Sequence, residues 1–108
     1  MNSHCLFCKI VQGDIPSEAV FEDDSIRAFK DVHPKAPVHI LVVPKKHIDS
    51  IQTLTDGDRE TILDVLYGAK AIAEKIGLEG YKLVFNVGRK GGQVIDHIHL
   101  HILGGWDA

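Results

Sequence analysis

Short segments in which apolar and polar residues alternate occur along most of the chain, and they predict a sheet. Ala19–Glu22 and Ile26–Lys30 are predicted to form two strands of a hairpin, because a polar turn separates them. Val38–Val43 is apolar except for His39, which is typical of a buried central strand. Tyr81–Val87 is predicted as a further strand.

Two segments have the periodicity of helices instead. The segment from Thr55, with Asp58 three residues later, to Gly77 predicts a long helix with acidic residues in its first turn. Its apolar residues recur at helical spacing: Ile62, Leu66, Ala69, Ala73 and Ile76. Cys5–Gln12 is predicted as a short helix that ends at Gly13. Several strands around one long helix indicate an α+β fold with an antiparallel sheet.

The last predicted strand, His97–Leu103, alternates imidazole and aliphatic side chains. Successive side chains of a strand point to opposite faces, so the histidines share one face: His97, His99 and His101. The aliphatic residues then point into a core: Ile98, Leu100 and Ile102. A row of imidazoles about 7 Å apart can bind a metal, attack an electrophile or hold a phosphate. An amphipathic strand whose polar face happens to be histidine explains this regularity less well.

A phosphoryl-transfer centre can be assembled around the middle imidazole. His99 has a neighbour on each side that can fix its orientation, which leaves one ring nitrogen free as a nucleophile toward phosphorus. The main-chain amides of Gly91, Gly92 and Gln93 can approach the developing charge closely. Asn86 and Gln93 add side-chain amides to the same region.

The two cysteines, Cys5 and Cys8, have the Cys-x-x-Cys spacing of a zinc site or a redox pair. A redox pair is expected between a strand and a helix of a thioredoxin-like unit, and the sequence around these residues predicts no such unit. Zinc is therefore favoured if two more ligands are available. Two free thiols packed on a short helix are the alternative.

Composition and charge restrict the partners of the protein. A chain of 108 residues with 44% hydrophobic and 25% charged residues is expected to form one globular domain, 1–108. The net charge of −3 argues against a nucleic-acid polymer as a partner, although a small anion can still bind. No apolar run reaches the length of a membrane span, and no signal peptide is predicted, so we expect a cytoplasmic protein without membrane contact.

The His-x-His-x-His motif at 97–101 resembles the signature of the histidine triad (HIT) superfamily of nucleotide hydrolases and transferases. Gly92-Gln93 before the motif and Leu103-Gly104-Gly105 after it resemble the Hint branch, the nucleoside phosphoramidases. The resemblance extends from Phe7 to Gly105. It implies a five-stranded antiparallel sheet with one long and one short helix, and a two-fold dimer.

The resemblance also implies roles for individual residues. His99 corresponds to the nucleophile, His101 to the histidine that contacts the phosphate, and His39 to a histidine behind the nucleophile. The implied substrate-binding residues are Asn86, Gly92 and Gln93 for the phosphate, Asp31 for the ribose, and Leu6, Phe7, Phe29 and Val32 for the base. Core packing is the alternative for the two phenylalanines, and turn capping is the alternative for the carboxylate.

The resemblance to HIT proteins that carry an N-terminal Cys-x-x-Cys implies one structural zinc ion per chain, bound by Cys5, Cys8, His47 and His97. A site with four protein ligands stabilises a fold but does not activate water. His4 and His39 are rival fourth ligands, whereas His33 is expected in a solvated loop.

The implied activity is hydrolysis of purine nucleoside 5′-phosphoramidates through a nucleotidyl-His99 intermediate. AMP, GMP, adenosine phosphoramidate and AMP-lysine conjugates are the expected ligands. Hint proteins commonly carry a hydroxyl residue where this chain has Val94, and a longer tail beyond Gly105, so the leaving-group preference is expected to differ. Two other functions remain open: a zinc hydrolase whose metal is bound by the three triad histidines, and a non-catalytic nucleotide-binding module.

Overall fold

The computed structural model describes residues 5–107 and contains five strands and two α-helices in the predicted order. In chain order these are α1 (Leu6–Val11), β1 (Ala19–Glu22), β2 (Ile26–Lys30), β3 (Val38–Pro44), α2 (Arg59–Lys75), β4 (Tyr81–Phe85) and β5 (Leu100–Gly104). The strands form one sheet in the order β1-β2-β3-β5-β4, and every neighbouring pair is antiparallel. The predicted α+β architecture is therefore confirmed. Three short 3₁₀ segments were not predicted: Ile51–Thr53, Asp56–Asp58 and Arg89–Gly91.

Local capping explains where the two α-helices begin and end. Gly13 and Gly77 adopt left-handed φ angles of +85° and +81° just beyond α1 and α2, as the sequence predicts for helix ends. The polar pair Thr55 and Asp58 caps a 3₁₀ turn, since the main-chain N–H of Thr55 donates to the Asp58 carboxylate. The α-helix proper therefore begins at Arg59, one turn later than predicted. Among residues 5–107 no helix has both the length and the apolar composition of a membrane span.

The sheet buries apolar side chains on both faces. The face under α2 is the larger core, formed by Ile26, Ala28, Ile40, Val42, Val65, Ala69, Ile72, Leu100 and Ile102. The opposite face packs against α1 through Cys5, Phe7, Cys8, Ile10, Phe29, Leu41 and Val43. His101 on β5 is paired with Leu41 on β3, so its side chain lies on the α1 face. The histidines are thus held between the sheet and the short helix.

The final strand is shorter than predicted at its beginning. β5 begins at Leu100 rather than His97, and β4 ends at Phe85 rather than Val87, because Phe85 and Leu100 are the last paired residues of these two strands. Before β5 the main chain bonds elsewhere: the His97 amide donates to Ile95, and the Ile98 amide to Ile48. The alternation nevertheless persists, because the aliphatic residues are all buried: Ile98, Leu100 and Ile102.

A glycine in the middle of α2 allows the helix to approach the sheet closely. A Cβ atom added to Gly68 would lie 2.3 Å from Cδ1 of Ile26, a side chain that is itself fully buried. We expect Gly68→Ala to lower the free energy of unfolding by about 1 kcal/mol, because the overpacking outweighs the gain in helix propensity. Ile26→Val removes the contacting methyl group. The double variant, measured by urea unfolding, should therefore lose less stability than the sum of the two single variants; simple additivity would contradict this packing.

Candidate active site and metal centre

His99 is held with one ring nitrogen occupied and the other available. Its Nδ1 lies 2.8 Å from the main-chain oxygen of His97. A carbonyl oxygen only accepts, so we assign the ring proton to Nδ1, which leaves the lone pair on Nε2. The rings of Phe7 and His101 contact it edge-on, each at 5.0 Å between centroids. Burial lowers the pKa of His99, so the imidazole is neutral at pH 7 and its Nε2 is a competent nucleophile.

A chain of hydrogen bonds indicates which ring nitrogen of His101 carries the proton. The main-chain N–H of Lys35 donates to Nδ1 of His39 at 3.1 Å, so His39 carries its own proton on Nε2. That Nε2 lies 2.8 Å from Nδ1 of His101, which must accept, and the proton of His101 is therefore on Nε2. His101 Nε2 is buried and has no hydrogen-bond partner within residues 5–107. An unsatisfied buried donor costs about 1–3 kcal/mol, so a donor retained beside His99 points to an anionic ligand.

The environment of His101 should also make folding stability depend on pH. Burial, with smaller effects from His99 and His39, lowers the pKa of His101 from its ordinary 6.5 to about 4. Between these values the unfolded chain binds a proton at this position that the folded protein does not, so stability falls as the pH is lowered through this range.

We therefore expect the urea midpoint of the unmodified protein to fall further between pH 7 and pH 4.5 than that of His101→Asn. The asparagine amide does not titrate but can still accept from His39. Both proteins are compared at the same metal content. Equal decreases in the two proteins would show that His101 contributes nothing to this pH dependence.

Asp31 lies at the edge of this hydrogen-bond chain. One carboxylate oxygen accepts from the main-chain N–H of His33 at 2.8 Å, which is the turn-capping role considered as an alternative for this residue. The other oxygen lies 3.4 Å from His39 Nε2, where it favours a proton on that nitrogen. His33 itself is exposed, as expected.

The cysteines meet two histidines in a compact cluster. His97 Nδ1 lies 3.3 Å from Cys5 Sγ and 3.5 Å from Cys8 Sγ. His47 Nδ1 lies 3.1 Å from Cys8 Sγ and 3.2 Å from His97 Nδ1. A tetrahedral zinc ion with two sulfur and two nitrogen ligands separates its ligand atoms by roughly 3.3–3.8 Å, close to these distances. The four residues therefore fit a closed metal site, and they are the four named from the sequence.

The hydrogen bonds behind the two histidines orient their lone pairs toward the cluster. His97 Nε2 donates to the main-chain oxygen of Pro44 at 2.8 Å, and His47 Nε2 to the Asp49 carboxylate at 2.6 Å. Both Nδ1 atoms are therefore free of protons and face the sulfur atoms. Burial, the largest effect, lowers the pKa of His97 to about 4, which favours the neutral ring that metal binding requires. His39, named as a rival ligand, lies in the other hydrogen-bond chain, and His4 lies outside the described residues.

A second group of potential ligands does not fit a metal. Asp31, His39 and His101 also place donor atoms within 4.8 Å of one another. A metal on His39 Nε2 would force the ring proton onto Nδ1, where the Lys35 N–H already donates. The alternative of a metal held by all three triad histidines does not fit these groups, because His97 belongs to the cysteine cluster and His99 to neither group.

The glycine-rich loop differs from the phosphate cradle that the sequence suggests. The amides of Gly91, Gly92 and Gln93 all donate to carbonyl oxygens within the loop. The buried Gln93 side chain accepts from the Gly88 amide and donates to the main-chain oxygens of Asp49 and Ile95. These groups hold the loop in shape rather than offering free donors. The side-chain amide of Asn86 similarly donates to the Gly91 oxygen.

The residues assigned to the base divide into buried and exposed pairs. Phe7 and Phe29 are 3% and 5% exposed and pack edge to face, which is the core-packing role considered for them. Leu6 and Val32 are exposed instead. A separate groove of about 630 Å³ between the segments 54–59 and 62–63 contains none of these residues.

Sequence reasoning missed the groups that set the proton positions. The relevant groups of Lys35, Pro44 and His97 are main-chain atoms, for which side-chain identity gives no signal. Asp49, which follows His47 by two residues, is a side chain whose spacing could have suggested its role.

Known proteins resemble this chain over nearly its whole length. A family model described as scavenger mRNA decapping enzyme C-term binding matches residues 4–106. An uncharacterized HIT-like protein of Synechococcus elongatus is 45% identical over 97% of this chain and 93% of its own length.

Several solved structures are also similar to this chain in both sequence and fold. A HIT family hydrolase from Legionella pneumophila has 53% identity and a TM-score of 0.94, covering 96% of this chain and 95% of its own. A histidine triad protein from Clostridium difficile has 42% identity and a TM-score of 0.95, covering 100% and 96%. A histidine triad nucleotide-binding protein from Candida albicans has 32% identity and a TM-score of 0.80, covering 97% and 83%.

Proposed function

Because this chain belongs to the histidine triad superfamily, we propose that it hydrolyses purine nucleoside 5′-phosphoramidates, such as adenosine phosphoramidate and lysine conjugates of AMP. The proton arrangement of two neighbouring imidazoles is the observation that supports this most strongly. His99 presents a lone pair on Nε2, and His101 presents a buried N–H donor beside it. Attack on phosphorus requires a nucleophile and a donor to the phosphoryl oxygens in this combination.

In the first step His99 Nε2 attacks phosphorus. The Nε2–P bond forms as the P–N bond to the amine breaks, and the developing positive charge on the ring is stabilised by the Nδ1–H bond to the His97 oxygen. His101 Nε2–H donates to a phosphoryl oxygen. The amine must leave with an additional proton. Val94 is exposed and has no proton to give, so solvent supplies the proton to the leaving nitrogen.

In the second step water attacks phosphorus from the side that the amine has left. The P–Nε2 bond breaks, its electron pair returns to His99, and the nucleoside monophosphate is released with the proton of the water passed to solvent. His101 donates to the same phosphoryl oxygen in both steps, so it needs no change of protonation state.

The cysteine cluster would hold a structural zinc ion. When bound, a metal with four protein ligands supplies cross-linking rather than activated water. The chain's own residues show what would be linked: Cys5 and Cys8 flank Phe7 on α1, and Phe7 contacts the rings of His97 and His99. The cluster would thereby keep the helix against the nucleophile.

We assign the nucleoside to the surface beside α1. Leu6 and Val32, which are exposed, would flank a purine over the buried rings of Phe7 and Phe29. Asp31 would accept from ribose hydroxyls through the oxygen that faces His39, whereas Asn86, Gly92 and Gln93 would act on the phosphate side by shaping the loop.

We also propose that the protein is a homodimer. β4 is an edge strand of the sheet, and Leu83 on it is exposed, as are Leu63 and Tyr67 on α2. Apolar side chains on an open edge and a neighbouring helix suit a self-complementary interface.

The proposal is tested by measuring AMP release from adenosine phosphoramidate, AMP-lysine and a dinucleoside polyphosphate. We expect turnover of the two phosphoramidates and a lower kcat/KM for the polyphosphate. The non-catalytic alternative expects AMP to bind, with none of the three substrates turned over and no effect of His99→Ala on binding.

A further inference from the structure

The loop between β2 and β3 contains a main-chain donor aimed at the imidazole pair. Two of its residues, Pro34 and Pro37, have no N–H, and the N–H of His33 donates to Asp31. The N–H of Lys35 is directed inward, 3.1 Å from Nδ1 of His39. His39 is buried, so water is a poor replacement for this donor.

We propose that the main-chain N–H of Lys35 is a positioning group that determines which nitrogen of His101 carries the proton. The hydrogen bond between His39 Nε2 and His101 Nδ1 does not itself choose a direction, since either imidazole can donate. If His101 donated instead, the proton of His39 would have to lie on Nδ1. It would then face the Lys35 N–H, and two donors would oppose each other across 3.1 Å.

Asp31 also favours a proton on Nε2 of His39, although less directly than the Lys35 N–H does. Its carboxylate oxygen lies 3.4 Å from His39 Nε2 and attracts a proton to that nitrogen. Among the described residues, the ring of His99 lies 5.0 Å from the ring of His101, and the charge of the Lys35 side chain also acts on His101. Loss of the Lys35 donor alone is therefore expected to give a mixture. Some molecules then carry the proton of His101 on Nε2 and others carry it on Nδ1.

The consequence for the reaction rests on the proposed function. With the proton of His101 on Nε2, as assigned, this nitrogen donates to the phosphoryl oxygen, whereas with the proton on Nδ1 it presents a lone pair to that oxygen and repels it. Only molecules with the proton on Nε2 are then competent. The fraction of such molecules should change kcat more than KM, because the donor matters most as negative charge develops.

The test compares Lys35→Pro, which has no N–H, with Lys35→Ala, which keeps it. Long-range ¹H–¹⁵N spectra of the imidazoles report which ring nitrogen carries the proton. We expect the Nε2–H pattern for His101 in the unmodified protein and in Lys35→Ala, and a mixed pattern in Lys35→Pro. Relative to Lys35→Ala, the proline variant should lose roughly twofold to fivefold in kcat with little change in KM, because kcat falls with the fraction of molecules that keep the proton of His101 on Nε2.

A Lys35→Pro variant that is folded, with the His97 signals unchanged, and keeps the Nε2–H pattern on His101 overturns the inference whatever its activity. If the proline variant does not fold, the inference is tested on the unmodified protein instead. A scalar coupling across the N–H···N bond between Lys35 N and His39 Nδ1 is expected, and its absence overturns the inference. Failure of the proposed function is distinguishable, because it would abolish turnover in every variant without altering these spectra.

Discussion

Replacing His99 with alanine is expected to lower kcat for AMP release from adenosine phosphoramidate by roughly 10⁴-fold or more. Within residues 5–107 the imidazole supplies a lone pair on Nε2 beside the His101 donor, and alanine provides no substitute. Nucleotide binding should change little, because the buried Phe7 and Phe29 keep the adjoining surface in place.

Two further variants make this result specific to the nucleophile. His33→Ala removes an exposed loop imidazole and should keep kcat within about twofold. His99→Gly leaves room for free imidazole, which should restore part of the turnover. Steady-state AMP release and calorimetric titration with AMP are the measurements. A residual kcat within tenfold of the unmodified protein in His99→Ala would remove His99 from the mechanism.

Disrupting the cysteine cluster is expected to cost stability rather than chemistry. Cys8→Ser should lower the melting temperature by roughly 10 °C or more, because the cluster connects α1 to the segment after β3 and to the segment before β5. A strong chelator should lower that of the unmodified protein to a similar extent. At a temperature where the variant is still folded, kcat should remain within several-fold, since four protein ligands leave a metal no position for water.

His33→Ala is again the matched control, since it removes a histidine that lies outside the cluster. Calorimetric melting with metal analysis, followed by AMP release at low temperature, separates the two effects. A chelated protein that keeps its melting temperature but loses its turnover would contradict the structural role and favour metal chemistry.

The parts of the fold that depend on local periodicity were predictable from the sequence. The hairpin Ala19–Lys30 and the helix ending near Gly77 have patterns long enough to specify both the type of element and its buried side. The beginning of β5 was not predictable in the same way. It depends on where β4 ends, and the alternation continues through His97 although the ladder does not.

The candidate site shows the same division. The cysteine and histidine ligands were identifiable because their side chains carry the chemistry. The role of Gln93 was not identifiable from the sequence. Its side-chain amide could equally bind phosphate, but in the fold it bonds to the main chain of its own loop and of Asp49. The proton positions on His99 and His101 depend on a carbonyl oxygen and an amide that come close only in the folded chain.

The central claim is that Nε2 of His99 forms a bond to phosphorus. Rapid acid-free quenching of the protein with adenosine phosphoramidate, followed by intact-mass and peptide mass spectrometry, tests it most directly. We expect one adenylyl group per active chain, on the peptide that contains His99, and none in His99→Ala. AMP release without any adduct on this peptide, or an adduct that persists in His99→Ala, would contradict the claim.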